Sequence, residues 1–334
     1  MGSHRKDINF GLAFEGFSRT RVFEKNPLIL KKDNWREIAS EIDGMGYSGF
    51  FIPDHFNSQF EPIATMAAIA AVTKKIDVGS IVCCVDYRHP VIYAKASATI
   101  NLISNNRHIL GLGAGWDEGD YAMAGIPYDP WATRIKRLEE AIKIIKGMWT
   151  QESTSLEGEY YRVKNLRKAV DELEYAKPRL LIGGGGSTIL KMAGRHADVA
   201  NISGRLLGGE DRWHKWIIDG SYENLGKKVE TVKKAAVASG RDPDDIVYSQ
   251  WVPLVRMYGD QLELKKEVAK RYGATLDEVN DCAWVMADEP GVVVENIKRS
   301  YEDYGISHYI IDGGAFSSID GLRNLYEKVI KPLS

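Results

Sequence analysis

The chain has 334 residues, 44% hydrophobic and 27% charged, a balance that allows a large core to be buried. Its 44 Lys and Arg offset 46 Asp and Glu to a formal net charge of −2, which gives no electrostatic case for nucleic acid or an anionic membrane as partner. Cys83, Cys84 and Cys282 form no metal or redox spacing, no apolar run approaches the roughly 20 residues of a membrane helix, and "MGSHRKD" lacks a signal-peptide core, so a cytoplasmic protein with a short tail at residues 1–6 is expected.

Strand-like and helix-like segments alternate along the chain. "INFGLAF" (8–14) reads as a strand, and Trp35, Ile38, Ala39, Ile42 and Met45 then recur at helical spacing behind Asp33 as N-cap. "GFFIP" (49–53) is a second strand, followed by an Ala-rich helix that opens on Pro62. "IDVGSIVCCV" (76–85) has the β-branched character of a strand buried on both faces. A helix through "VIYAKASATINLIS" leads to a fourth strand, "RHILGLGAG" (107–115). The stripe Ile135, Leu138, Ile142, Ile145, Trp149 predicts a long helix behind Asp129 and Pro130. A polar excursion (151–177) precedes a fifth strand, "PRLLIG", its helix "STILKMAGRHA", and a sixth strand, "DVANIS". Further on, a helix at 223–239, a long strand at 246–258 interrupted by Pro253, helices at 261–272 and 276–287, a helix from Pro290 and a last strand at 308–314 are expected.

About eight strands, nearly all followed by helices, in a chain of this length predict a single (β/α)8 TIM barrel spanning 1–334, with insertions after strands 4, 6 and 7; a doubly wound open sheet is the rival. Residues 204–287 form the insertion-rich, substrate-side region.

In such a barrel the chemistry lies just beyond the strands' C-terminal ends. Those positions are Phe14 and Glu15; Asp54 and His55; Asp86, Tyr87 and Arg88; Ala114, Gly115, Trp116 and Asp117; Gly183 to Ser187; Asn201 and Ser203; and Asp312 to Gly314. The seven histidines include no His-x-His pair and no HExxH, so no metal centre is expected. No lysine ends a strand, which weakens a Schiff-base reading, and a GxxxxGK phosphate loop is absent. Gly183, Gly184, Gly185 and Gly186 run into Ser187 and Thr188 at a helix start. Exposed amides there and the helix N-terminus would suit a phosphate; the plainer reading is a permissive turn.

Taken together, "GYSGFFIPDHF", "VGSIVCCVDYRHPVIYAKASATINLISNNRHILGLGAGW", "YAMAGIPYDPWATRIKRLEEAIKIIKGMWT", "LEGEYYRV" and "PRLLIGGGG" resemble the luciferase-like monooxygenase superfamily, particularly its branch dependent on the deazaflavin coenzyme F420. The resemblance covers about 8–203 and 288–330 and fades over 204–287. It implies a barrel whose mouth holds a flavin-type ring, backed by a bulge in strand three (Ser80, Ile81, Val82) with a cis peptide at Ile81–Val82. It also implies that Asp54 meets the ring edge and that His55 moves a proton beside the hydride-bearing carbon. Some sugar-phosphate dehydrogenases of this type carry a Glu where this chain has Trp116; Trp116 offers an aromatic wall and no proton, and Glu15 is a substitute acid.

The leading expectation is therefore hydride transfer between F420 and an unidentified small organic substrate, by a homodimer. Rivals are an FMN-dependent monooxygenase using oxygen, a non-catalytic flavin-binding protein, and a barrel isomerase that grips phosphate with Gly313 and Gly314. Arg88 and His89 are read as loop caps near a subunit interface, His196 and Asp198 as fixing a turn, and at least two of Trp213, Trp216, Trp251 and Trp284 as packing residues.

Overall fold

The computed structural model describes residues 7–14, 27–171, 176–205, 209–256 and 259–333. In chain order the elements are β1 (Asn9–Ala13), α1 (Trp35–Met45), β2 (Gly49–Ile52), α2 (Pro62–Val72), β3 (Asp77–Ser80), β4 (Cys83–Cys84), α3 (Pro90–Ile103), β5 (His108–Gly113), α4 (Glu118–Ala124) and α5 (Trp131–Thr150). There follow β6 (Ser153–Glu157), β7 (Arg162–Arg167), β8 (Arg179–Gly184), α6 (Ser187–His196), β9 (Val199–Ile202), α7 (Arg212–Asp219), α8 (Tyr222–Ala238) and β10 (Val247–Val252). The chain ends with β11 (Leu254–Val255), α9 (Gln261–Tyr272), α10 (Leu276–Asn280), β12 (Val285–Met286), α11 (Pro290–Tyr304), β13 (Ile306–Asp312) and α12 (Ile319–Leu325).

Nine of these strands form one parallel sheet in the order β3-β2-β1-β13-β10-β9-β8-β5-β4, and a β3–β5 pairing closes it. β3 and β4 are two halves of one stave, so the barrel has eight staves, as the alternation predicts. The open sheet is excluded. The expected insertions are present: the β6–β7 hairpin and α4 follow stave four, α7 follows stave six, and β11 to β12 follow stave seven. Pro253 ends β10, and the next two residues leave the barrel to pair with β12. The helix expected over 276–287 stops at Asn280, and residues 285–286 become that partner strand.

Side chains alternate between two cores, as strand geometry demands. Phe10, Leu12, Phe50, Ile52, Val78, Leu110, Leu112, Leu180 and Ile182 face the helices. Ala13, Phe51, Ile109, Leu181, Val199 and Ile310 face the barrel axis, with Val82 and Trp251 packed on them. The glycines in the strands follow from this second core. A Cβ on Gly11, Gly49 or Gly79, from three different staves, would meet the Phe51 ring. One aromatic side chain thus fills a space that three neighbours vacate. Trp216 (3% exposed) and Trp284 (0%) are packing residues, as expected.

Two predictions follow from this core. Gly11→Ala forces a methyl onto Phe51 and should cost roughly 1–3 kcal/mol. Because the obstacle is one side chain, the double variant with Phe51→Leu should cost less than the sum of the singles in urea unfolding; strict additivity would refute the packing relation. The second concerns pH. His108 and His308 are buried, and burial, with a smaller contribution from Arg179, holds each imidazole pKa at about 4. Their folded pKa lies below the unfolded value of about 6.5, so this stability is present above that pH and is lost as pH falls towards 4. Stability measured from pH 6.5 to 4 should fall less steeply in His308→Asn than in the parent chain.

Candidate functional site at the barrel mouth

Asp54 and His55 follow β2, and their carboxylate and imidazole take separate tasks. Asp54 is buried, and Arg88 donates to both its oxygens, at 2.6 and 3.1 Å. The Cys84 amide (3.1 Å) and the Tyr93 hydroxyl (3.4 Å) donate to the same carboxylate. Arg88 also reaches Glu61, whose carboxylate caps the first turn of α2. The bidentate pair therefore ties the β2 end to the segment after β4. The Asp54 side chain, expected at the cofactor's edge, is 1% exposed and acts as an internal anchor. His89 caps α3 through its ring nitrogen, as its reading as a loop cap requires.

His55 is held differently. Its Nδ1 lies 2.5 Å from Asp120 Oδ2, while the Phe56 amide donates to Asp120 Oδ1 at 3.1 Å and the Tyr87 hydroxyl to Oδ2 at 3.3 Å. Burial works against charge on Asp120, but the hydrogen bond and charge of His55 and the other donors outweigh it, keeping its pKa below the usual carboxylate value. With Nδ1–H directed at a carboxylate, the imidazole lone pair sits on Nε2, the arrangement of a general base with an orienting partner. Asp120 is the residue that sequence reading passed over. The available signal was a carboxylate in the first turn of the helix after the "GAGW" strand end.

Ala114, Gly115 and Trp116 form the neighbouring wall. Gly115 adopts φ +75°, and a Cβ there would strike Tyr121 and Cys84, so this position requires glycine. Arg134 donates to the carbonyls of Ala114 and Gly115. The Trp116 ring stands edge-on to His55, centroids 5.7 Å apart, and is 42% exposed. Glu15, the substitute acid, lies outside the described residues.

The peptide bond Ile81–Val82 is cis, at the residues the resemblance implied. Ser80, expected among the cofactor's contacts, is fully buried; its hydroxyl donates to the Gly111 carbonyl and accepts from the Gly111 amide, both at 2.9 Å. It stitches β3 to β5. Ile81 and Val82 are partly buried over the barrel interior.

The glycine run has mixed uses. None of its four residues has a positive φ, so left-handed geometry does not explain it. A Cβ on Gly183 would press on Val82, on Gly184 on Ile189, and on Gly185 on the backbone of residues 203–205. Those three are spacers. Gly186 alone faces open space, with only Arg205 Cδ at 3.9 Å from its Cβ direction, and it begins α6 without a side-chain cap. Ser187 and Thr188 are exposed there, so the first-turn amides and Arg205 together offer an anion site. Lys228 braces the turn from behind, donating to the Gly185 carbonyl (2.7 Å) and Asp219 (2.6 Å).

His55, Asp117 and Asp120 bring one ligand atom each within 4.8 Å of one another. Within this trio Asp117 accepts from the Gly119 amide (3.0 Å) and Asp120 is bonded to His55. A separate groove of about 380 Å³ between α6 and α8, lined by Lys191, Arg195 and Lys234, lies towards the other end of α6 from Ser187.

A closed parallel barrel, bulged at a cis peptide and carrying a histidine–carboxylate pair at its strand ends, is a barrel of the luciferase class. The chain belongs to the luciferase-like monooxygenase family, whose model matches residues 14–273. An F420-dependent glucose-6-phosphate dehydrogenase of Amycolatopsis mediterranei (strain U-32) is 28% identical over 327 residues, 89% of this chain and 93% of the relative. Among solved structures, the coenzyme F420-dependent tetrahydromethanopterin reductase from Methanopyrus kandleri superposes with a TM-score of 0.78 at 16% identity, covering 98% of this chain and 100% of that one. The EDTA monooxygenase from Chelativorans sp. BNC1 gives 0.75 at 16% identity, covering 98% and 94%. At those identities the structures speak for the fold alone.

The glycine analysis separates two neighbours. Gly185→Val should fail to accumulate as folded protein or melt well below the parent, because its obstacle is backbone. Gly186→Val, at φ −83° and ψ 149°, should melt close to the parent. Equal melting temperatures by circular dichroism would refute the assignment.

Proposed function

We propose that the protein is an oxidoreductase that passes a hydride between coenzyme F420 and a small organic molecule, with His55 moving the accompanying proton. The observation that carries this reading is the His55–Asp120 pair, set at the barrel mouth beside the partly buried Ile81–Val82 shelf. The relatives named F420-dependent dehydrogenases support the choice of cofactor.

The residues present fit such a group. Its phosphate would lie at the first-turn amides of Ser187 and Thr188 and at Arg205, where α6 lacks a cap. Its ring would rest on Ile81 and Val82, walled by Ala114, Gly115 and Trp116. When bound, F420 supplies a two-electron hydride carrier. His55 gives or takes the proton at Nε2, and Asp120 holds the ring in the tautomer that permits it. Glu15 would act only as an auxiliary acid. The three cysteines are free and buried, which supports a reducing, cytoplasmic setting, and exposed Ile92 and Ile103 on α3 support a homodimer.

F420 should quench intrinsic fluorescence on binding, with FMN binding far more weakly. Arg205→Ala should weaken F420 binding while His55→Ala leaves it nearly unchanged. Turnover of any accepted substrate should fall about 10²–10⁴-fold in His55→Ala. Asp120→Asn should lie between parent and His55→Ala and shift the pH profile. Tight FMN binding without F420 binding would overturn the cofactor; near-normal turnover in His55→Ala would overturn the proton role.

A further inference from the structure

A row of polar side chains crosses the barrel interior beneath the mouth. β8, β9, β10 and β13 are neighbours, and their register aligns Gly183 with Asn201, Asn201 with Ser249, and Ser249 with His308. Val199 faces the axis, so Asn201, two positions on, faces it as well. Asn201 is 3% exposed, and Ser249 and His308 are also buried. The Asn201 amide Nδ2 donates to Ser249 Oγ at 2.9 Å, and Ser249 Oγ lies 3.0 Å from His308 Nδ1. With its oxygen accepting from Asn201, the Ser249 hydroxyl donates to His308, whose imidazole burial keeps neutral.

This chain of bonds fixes which way the Asn201 amide points. Its nitrogen is turned to Ser249, so its oxygen is turned to the opposite neighbour, and Oδ1 lies 3.7 Å from where a Cβ on Gly183 would stand. The same vacant position is 3.0 Å from Val82 Cγ1, so the oxygen sits beside the Ile81–Val82 shelf. Among the described residues nothing donates to Oδ1, although it is not sealed in the interior. A nearly buried carbonyl oxygen without a donor is costly until something supplies one.

We infer that Asn201 is a ligand-binding residue of this site, its Oδ1 accepting a hydrogen bond from the imide N–H of a flavin-type ring seated on Ile81 and Val82. The inference rests on the cofactor reading of the site and adds the residue that recognises the ring's polar edge. The imide N–H lies between two carbonyls in a rigid ring, so it is a donor of fixed direction and suits an acceptor that is itself held in place. A purely structural Asn201 would be served by Ser249 alone and would need no open oxygen.

The test compares F420 with its derivative methylated at the imide nitrogen, which keeps the ring and the phosphate and lacks the donor. Dissociation constants are measured by fluorescence quenching on the parent chain and on Asn201→Ala, whose smaller side chain leaves space for the methyl group. Ser249 keeps its bond to His308 in that variant, and circular dichroism checks its fold. The parent should bind the methylated form about tenfold more weakly than F420. Asn201→Ala should bind F420 about tenfold more weakly than the parent and should no longer distinguish the two forms. Equal affinity of the parent for both forms overturns the inference, and this arm needs no variant. Discrimination that persists in Asn201→Ala also overturns it, since the methyl group is then meeting something else. If F420 does not bind, the cofactor reading falls, and FMN with its imide-methylated derivative decides Asn201 by the same comparison; binding of neither ring overturns both.

Discussion

The structure depends on how two side chains fill the barrel axis. Gly11, Gly49 and Gly79 make room for Phe51, Gly113 and Gly183 make room for Val82, and Gly111 makes room first for the Ser80 backbone carbonyl. Close packing leaves little tolerance at such points, since an added methyl must displace its neighbour. Val82 reaches the axis only because the third stave is bulged. Gly79 pairs with Ile109 and Cys83 with Leu112, so four steps on one stave match three on the next. The extra residue reverses the facing of everything beyond it. Val78 faces the helices before the bulge, Ile81 and Val82 face the axis within it, and Cys83 and Val85 face the helices after it. The shelf at the mouth is the upper surface of this packing, and its position is as fixed as the core beneath it.

Two ion-paired clamps carry that rigidity into the loops. Asp54 and Arg88 join the β2 end to the β4 end, and Glu61 extends the link to α2. Asp86 and Arg137 join the β4 end to α5, with Asp129 on the far side. Asp54 and Asp86 are nearly inaccessible, so removing either arginine would leave a buried carboxylate without its counter-charge. Such pairs contribute definition of geometry more than net stability. Here they fix the segments on either side of Asp120, which in turn fixes His55.

Much of the architecture was legible in the sequence, because strand and helix periodicities are local. The alternation, the insertions and the break at Pro253 all follow from residues within a few positions of one another. His55 was legible as well, standing directly beyond an apolar strand. Asp120 was not, since its partner is 65 residues away and nothing local distinguishes it from Asp117 or Glu118. The glycine run misled for the same reason. Its first three members answer to Val82, Ile189 and residues 203–205, and only Gly186 keeps the open space that the local pattern suggested. Asp54 and Ser80 look like ligand contacts from their place in the chain, yet each is consumed by a partner on another stave.

The division between Asp54 and His55 has a physical basis in what each can reach. A carboxylate bonded by a guanidinium, an amide and a phenol has its oxygens taken up inside the protein. An imidazole bonded at Nδ1 to a carboxylate keeps the proton exchange of its other nitrogen, in a ring whose orientation is set from outside the substrate's space. Asp120 can serve that purpose because its remaining bonds, to the Phe56 amide and the Tyr87 hydroxyl, come from the staves that the two clamps immobilise. The imidazole is therefore positioned by the barrel itself, while Phe56 (41% exposed) and Trp116 (42%) stand at the surface and can be exchanged without disturbing the core. That separation leaves the ring orientation of His55 independent of the exposed residues beside it, Trp116 among them.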